Sequence, residues 1–129
     1  MRKFYFIFFI IFFATFSCKK NNTSKNTTVE YQMTIVERQD IAILMTYNDQ
    51  NGSPITGTYL SGWKQKVTVS NKPYTAYLRA NYPNVCSGCY LNATLKILVD
   101  GIVVKEQTGM IRRMNSTDDV AVTIQYVVN

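Results

Sequence analysis

From Val29 onward, the apolar residues of this chain fall on every second position rather than on every third and fourth. Successive side chains of a β-strand point to opposite faces, so this period commits the chain to half-buried strands and leaves no amphipathic helix. Tyr31, Met33 and Ile35 alternate with Gln32 and Thr34, and Ile41, Ile43, Met45 and Tyr47 alternate with Ala42, Leu44 and Thr46. Asn48-Asp49-Gln50-Asn51-Gly52 is a dense turn signal. A weaker strand over 55–60 and one marked by Val67 and Val69 come next. After Ser70-Asn71-Lys72-Pro73, Tyr74, Ala76, Leu78 and Ala80 alternate with Thr75, Tyr77 and Arg79.

Residues 91–107 carry the sharpest fold signal. Two alternating runs flank Asp100-Gly101, a pair that tolerates the two positive φ angles of a type I′ hairpin. A regular ladder then sets Val99 opposite Ile102, Ile97 opposite Val104 and Leu95 opposite Glu106, with the apolar members facing the core. The other face pairs Leu98 with Val103 and Lys96 with Lys105, where like charges repel slightly. Thr108 to Asp119 reads as a polar loop, and Val120, Val122, Ile124, Tyr126 and Val128 as a last strand. Seven or eight short strands at even spacing predict an all-β fold, an immunoglobulin-like antiparallel β-sandwich, with a small barrel as the alternative.

The first residues obey a different rule. Arg2 and Lys3 precede an apolar run over 4–13, which Ala14-Thr15-Phe16-Ser17 closes. The run is shorter than the ~20 residues needed to cross a bilayer, and it has the charge, length and small-residue ending of a secretory signal. Cys18 follows Ser17 directly. The stretch resembles the bacterial lipobox, in which the signal is cut before a cysteine whose thiol takes a diacylglycerol; Thr15 stands where leucine is commonest. Ser-Cys-Lys-Lys followed by asparagine-rich sequence is similar to lipoproteins of the Bacteroidota. The resemblance implies a signal peptide over 1–17, a mature N-terminus at Cys18 carrying palmitate-type acyl chains, a flexible tether over 18–28 and a β-sandwich domain over 29–129. Two or more acyl chains hold a protein stably at a membrane. Lys19-Lys20-Asn21-Asn22 holds no acid, which points to the periplasmic face of the outer membrane rather than the cell surface.

Removing that leader changes the composition. All seven phenylalanines lie between Phe4 and Phe16, and loss of Arg2 and Lys3 lowers the formal charge from +6 to +4. The remaining charge is scattered, which argues against nucleic acid as a partner. About 110 residues are left, enough for one domain.

The order of several motifs resembles the MmpS (mycobacterial membrane protein, small) family. Ile97-Leu98-Val99-Asp100-Gly101-Ile102-Val103-Val104-Lys105 is similar to that family's hairpin. Trp63-Lys64 falls at its Pro-Trp-Ser-Lys, with Gly62 where the proline stands. Ala76-Tyr77-Leu78-Arg79-Ala80-Asn81 and the stretch from Met45 to Gly52 fall on a strand and a strand-plus-turn of the family. The segment 83–90 lies outside the pattern. The resemblance implies a small β-sandwich held at a membrane as an accessory to large exporters, with an envelope protein as partner and no catalytic motif.

Chemistry-bearing residues are few. The chain has no histidine, which removes the most usual general base and metal ligand and points away from an enzyme, a metal and a cofactor. If Cys18 is lipidated, Cys86 and Cys89 remain as a pair. A zinc site needs about four ligands. A redox dithiol would normally open a helix in a βαβ unit, and this pair lies between strands. A disulfide that shapes the 86–89 loop is the expected state, worth only about 2 kcal/mol because the loop is short; a periplasmic thiol–disulfide protein is the rival reading, and a purely structural envelope lipoprotein with no specific ligand is a third. Trp63, Tyr77, Tyr82 and Tyr90, with Tyr59 and Tyr74, are candidates for an aromatic binding surface, although tyrosine favours strands in any case. Asn115, Asp118 and Asp119 offer a weak calcium site or a solvated loop.

Overall fold

The computed structural model describes residues 25–82, 90–113 and 119–129. Within them the chain forms nine strands: β1 Thr27–Ile35, β2 Ile43–Asn48, β3 Pro54–Tyr59, β4 Lys64–Val69, β5 Tyr74–Asn81, β6 Tyr90–Val99, β7 Ile102–Arg113, β8 Asp119–Val120 and β9 Val122–Val128. β8 is two residues long and is separated from β9 by Ala121 alone, so the last strand read from the sequence is one run that changes sheets at that residue. The strands build a β-sandwich, one sheet ordered β4-β1-β6-β7-β8 and the other β3-β2-β5-β9, with antiparallel pairing throughout.

Alternation explains the packing. Val29, Tyr31, Met33 and Ile35 of β1, Ile43, Met45 and Tyr47 of β2, and Tyr74, Ala76, Leu78 and Ala80 of β5 are all buried between the sheets. They meet Leu91, Ala93, Leu95 and Ile97 of β6 and Val122, Ile124 and Val128 of β9. Each large aliphatic side chain removed from water in this way contributes about 1.5–3 kcal/mol.

Strand directions divide the connections between two ends. The start of β1, the β2–β3 turn, the β4–β5 turn, the β6–β7 turn and the C-terminus share one end. The β1–β2 connection, the turn between β3 and β4, the end of β5 and the start of β6 share the other. Thr27 and Thr28 belong to β1, opposite Val69 and Thr68, so the domain starts two residues before the boundary read from polarity. Thr27 is buried despite its hydroxyl.

The β6–β7 hairpin departs from the predicted register in one place. Its turn forms as expected, with φ of 50° at Asp100 and 84° at Gly101. Val99 faces Ile102 and Leu98 faces Val103, but a bulge between Leu98 and Ile97 leaves Val104 without an opposite number. Beyond it Ile97 faces Lys105 and Leu95 faces Gln107, in place of Val104 and Glu106. Lys96 consequently meets Glu106, with Nζ 3.1 Å from Oε1, instead of the repelling Lys105. The extra residue also turns Gly109 and Ile111 toward the core rather than Thr108 and Met110. Ile111 is fully buried opposite Leu91.

This pairing also corrects the loop expected from Thr108 onward. Residues 108–113 are strand, because β6 extends back to Tyr90 and offers them a ladder. Thr94 and Thr108 join hydroxyls at 2.8 Å on its outer face.

Candidate functional site

The end where β1 starts gathers the polar groups of three connections. Asp49 builds the β2–β3 turn: its Oδ1 accepts N–H bonds from Asn51 and Ser53, both at 2.9 Å, and Gly52 closes the turn at φ 82°. Asn48 ends β2 by donating its side-chain amide to the Thr75 carbonyl at 3.0 Å. Between this turn and the β4–β5 turn lies a cleft of about 270 Å³. Asn48, Gln50, Asn51 and Gly52 form one wall, and Asn71, Pro73, Tyr74 and Thr75 the other. Four carboxamides line it with no charged side chain, so its chemistry is hydrogen bonding to neutral polar groups.

Beneath the cleft, two buried hydroxyls connect the sheets. Tyr31 of β1 and Tyr74 of β5 approach to 2.7 Å between their Oη atoms. Tyr74 donates onward to the carbonyls of Asn48 and Asp49, each 2.9 Å away, so Tyr31 is the donor to Tyr74. Burial, and then the proton it donates to Tyr74, push the Tyr31 phenol well above the ordinary phenol range. Tyr74 is also raised, by burial, while the bond from Tyr31 works the other way. Both phenols are neutral structural groups here, not acids or bases.

From Tyr31 a line of rings runs to the β3–β4 side of the sandwich. Tyr31 and Tyr47 lie 5.5 Å apart between centroids, Tyr47 and Trp63 5.3 Å, and Trp63 stacks on Tyr59 at 4.8 Å. Tyr59 folds back along its own strand over Gly57, where a Cβ would stand 2.5 Å from its hydroxyl. Trp63 and Tyr59 are half-buried against the core. The turn that carries Trp63 is bonded to β1: Met33 N–H donates to the Trp63 carbonyl at 3.0 Å, and Ile35 N–H donates to Ser61 Oγ at 2.9 Å.

The aromatic residues singled out in the sequence do not meet on one face. Tyr77 is half-buried on the outer side of the four-stranded sheet, between the inward Ala76 and Leu78. Tyr90 is 57% exposed on the outer side of the five-stranded sheet, opposite Arg112. Tyr82 packs against the core at the far end. Cys18, Cys86, Cys89, Asn115 and Asp118 lie outside the described residues, and Asp119 pairs with Arg113 through its backbone in β8.

The carboxylates occupy separate places. Gln32's amide, more than the Lys66 ammonium, holds Glu30 below the usual carboxylate range on the outer face of β1. At the far end the amide of Asn92 does the same for Glu37, and the Arg38 guanidinium for Asp40. Among the described residues, no group of three or more acids and cysteines is placed to hold a metal ion, and no helix is long and apolar enough to cross a membrane. Tyr31 and Tyr74 were readable as inward-facing from the alternation, but the cleft was not: its two walls come from turns about 20 residues apart. No family model matches the chain, and no curated protein matches it.

Proposed function

We propose that this protein is a lipid-anchored β-sandwich of the bacterial cell envelope, held by Cys18 at the periplasmic face of the outer membrane, that acts by binding or as an accessory subunit rather than by catalysis. One observation carries most of the weight. The first strand begins at Thr27, leaving eight polar residues between Cys18 and the folded domain. Eight residues reach at most ~28 Å when fully extended. A sandwich on so short a tether works against the membrane surface or against something embedded in it.

The accessory role follows from the resemblance to the small mycobacterial membrane proteins, and the uncharged amide cleft supports binding over proton-transfer chemistry. Two measurements test the reading. The intact mass of the membrane-extracted protein should correspond to a chain starting at a triacylated or diacylated Cys18; a mass for unmodified Met1 overturns the anchor. Crosslinking in intact membranes followed by purification should recover an envelope protein in stoichiometric amount. A chain that stays monomeric and alone after crosslinking overturns the accessory role.

A further inference from the structure

The tip of the β6–β7 hairpin is apolar on both faces. Val99 and Ile102 pair on one side, and Leu98 and Val103 on the other. A strand closing a sandwich needs one apolar face, with the other wetted. Here the packing uses Val99, which is half-buried against the core, and leaves Ile102 70% and Val103 47% exposed. Along the same strand Val104 is half-buried against the core, and the pattern then turns polar, with Lys105, Glu106 and Gln107 exposed.

The tip is also tied to the point where the chain joins the domain. Asp100 N–H donates to the Thr28 carbonyl at 2.8 Å, and Thr28 N–H donates to Asp100 Oδ1 at 2.9 Å. The two exposed aliphatic side chains are therefore fixed beside the tether. Eight residues separate Cys18 from Thr27, where β1 begins, about 16 Å as a coil and ~28 Å when stretched. The charges at this end suit an anionic surface. Lys25, Lys72 and Lys105 are exposed, while the nearby Asp49 and Asp100 each spend a carboxylate oxygen on backbone N–H groups.

We propose that Ile102 and Val103 form a membrane foot that seats in the acyl-chain boundary of the phospholipid layer holding the anchor, with the surrounding lysines over the headgroups. The inference rests on the lipid-anchor reading above. Two aliphatic side chains do not hold a protein at a bilayer alone; on a short tether the local lipid concentration is high enough for them to seat. Their effect is orientation. The long axis of the sandwich stands away from the membrane, and the far end, with Tyr82 and Tyr90, faces outward.

Brominated lipids test this directly. The full chain is placed in liposomes of phosphatidylethanolamine and phosphatidylglycerol with brominated acyl chains, as wild type, Ile102→Trp and Thr58→Trp. Wild type reports the background from Trp63. Thr58 is exposed on the outer side of β3, toward the far end. Tryptophan at 102 should be quenched at least about twofold more than tryptophan at 58, as expected for a side chain at acyl-chain depth. Equal quenching of the two in protein that floats with the liposomes overturns the foot. A blue-shifted but unquenched signal at 102 overturns it as well, because it means burial against protein. If the wild-type chain neither floats nor carries a lipid mass, the anchor reading fails separately. The same variants with an N-terminal hexahistidine tag on nickel-chelating lipid then decide the foot: selective quenching at 102 upholds it, and its absence overturns it.

Discussion

The Oη atoms of Tyr31 and Tyr74 meet 2.7 Å apart across the interior of the sandwich, one from each sheet. The pair is directional, because Tyr74 gives its proton to the carbonyls that end β2 and open the β2–β3 turn. The two hydroxyls are therefore not equivalent. Tyr31→Phe removes a donor and leaves Tyr74 with its carbonyl partners, at a cost of about 1 kcal/mol. Tyr74→Phe strands the buried Tyr31 hydroxyl and frees the turn carbonyls, at a cost of about 2–3 kcal/mol. Urea midpoints should rank wild type, then Tyr31→Phe, then Tyr74→Phe. The double variant should fall less than the sum of the two, as coupled partners do. Equal, additive losses would show that the bond is not directional.

The same pair fixes the alkaline limit of stability. Tyr31, Tyr47 and Tyr74 all have phenols raised by burial. Below the ordinary phenol value of 10.0 the folded and unfolded chains are both protonated, and the stability is intact. Above it the unfolded chain releases these protons while the folded chain keeps them, so the unfolded state binds fewer protons and stability falls as pH rises. The slope is at most about 1.4 kcal/mol per pH unit for each group. Urea midpoints should be flat from pH 8 to near pH 10 and decline above it. Tyr31→Phe should make that decline shallower, and an unchanged slope would remove Tyr31 from the account.

How much of this could be read from residues alone depended on the kind of feature. Period-two alternation located β1, β2, β5, β6, β9 and the first half of β7, and the inward faces of β1, β2, β5 and β6, because burial on one side forces that pattern. Asp100-Gly101 announced its turn because few pairs accept two positive φ angles. The bulge at Val104 had no such marker: Val104 is an ordinary strand residue, and what selects the shifted register is the fit of Ile111 and Gly109 far along β7. Residues 108–113 looked like loop for the same reason, since their inward positions hold a glycine and a single isoleucine. The amide cleft and the Thr28–Asp100 tie join segments distant in sequence, and local pattern carries no information about them.

Two glycines separate close packing that can yield from packing that cannot. A Cβ at Gly109 would stand 2.8 Å from Cγ2 of Val122, a buried, branched side chain in β9. Gly109→Ala therefore pushes the two sheets apart at this edge, with an expected loss of about 1–3 kcal/mol. A Cβ at Gly57 meets the far end of the half-buried Tyr59, which can swing outward. Gly57→Ala should cost less than Gly109→Ala in thermal denaturation yet change the emission of Trp63 more, because Tyr59 stacks on that indole. The reverse ranking in stability would mean that the Tyr59–Trp63 stack, and not the Gly109–Val122 contact, is the rigid part of the core.

The bulge itself has a testable purpose. Apart from the short pairing with β8 at Arg112 and Arg113, β7 is paired on one side only among the described residues. Such an edge is a template for another chain, and bulges and charged residues are the usual protection. Val104 supplies the bulge and Lys105 the charge. Deleting Val104 joins Val103 directly to Lys105 and leaves every later partner in place: Lys96 still meets Glu106, and Leu91 still meets Ile111. The ladder becomes regular and the fold should survive, losing the contacts that Val104 makes at the margin of the core. The edge becomes straighter, so association should rise. Sedimentation velocity across a concentration series should show dimers or larger species for the deletion and a monomer for wild type, and a further Lys105→Val change should deepen the effect. A deletion variant that stays monomeric at every concentration would show that the bulge serves only to set the inward positions of Gly109 and Ile111.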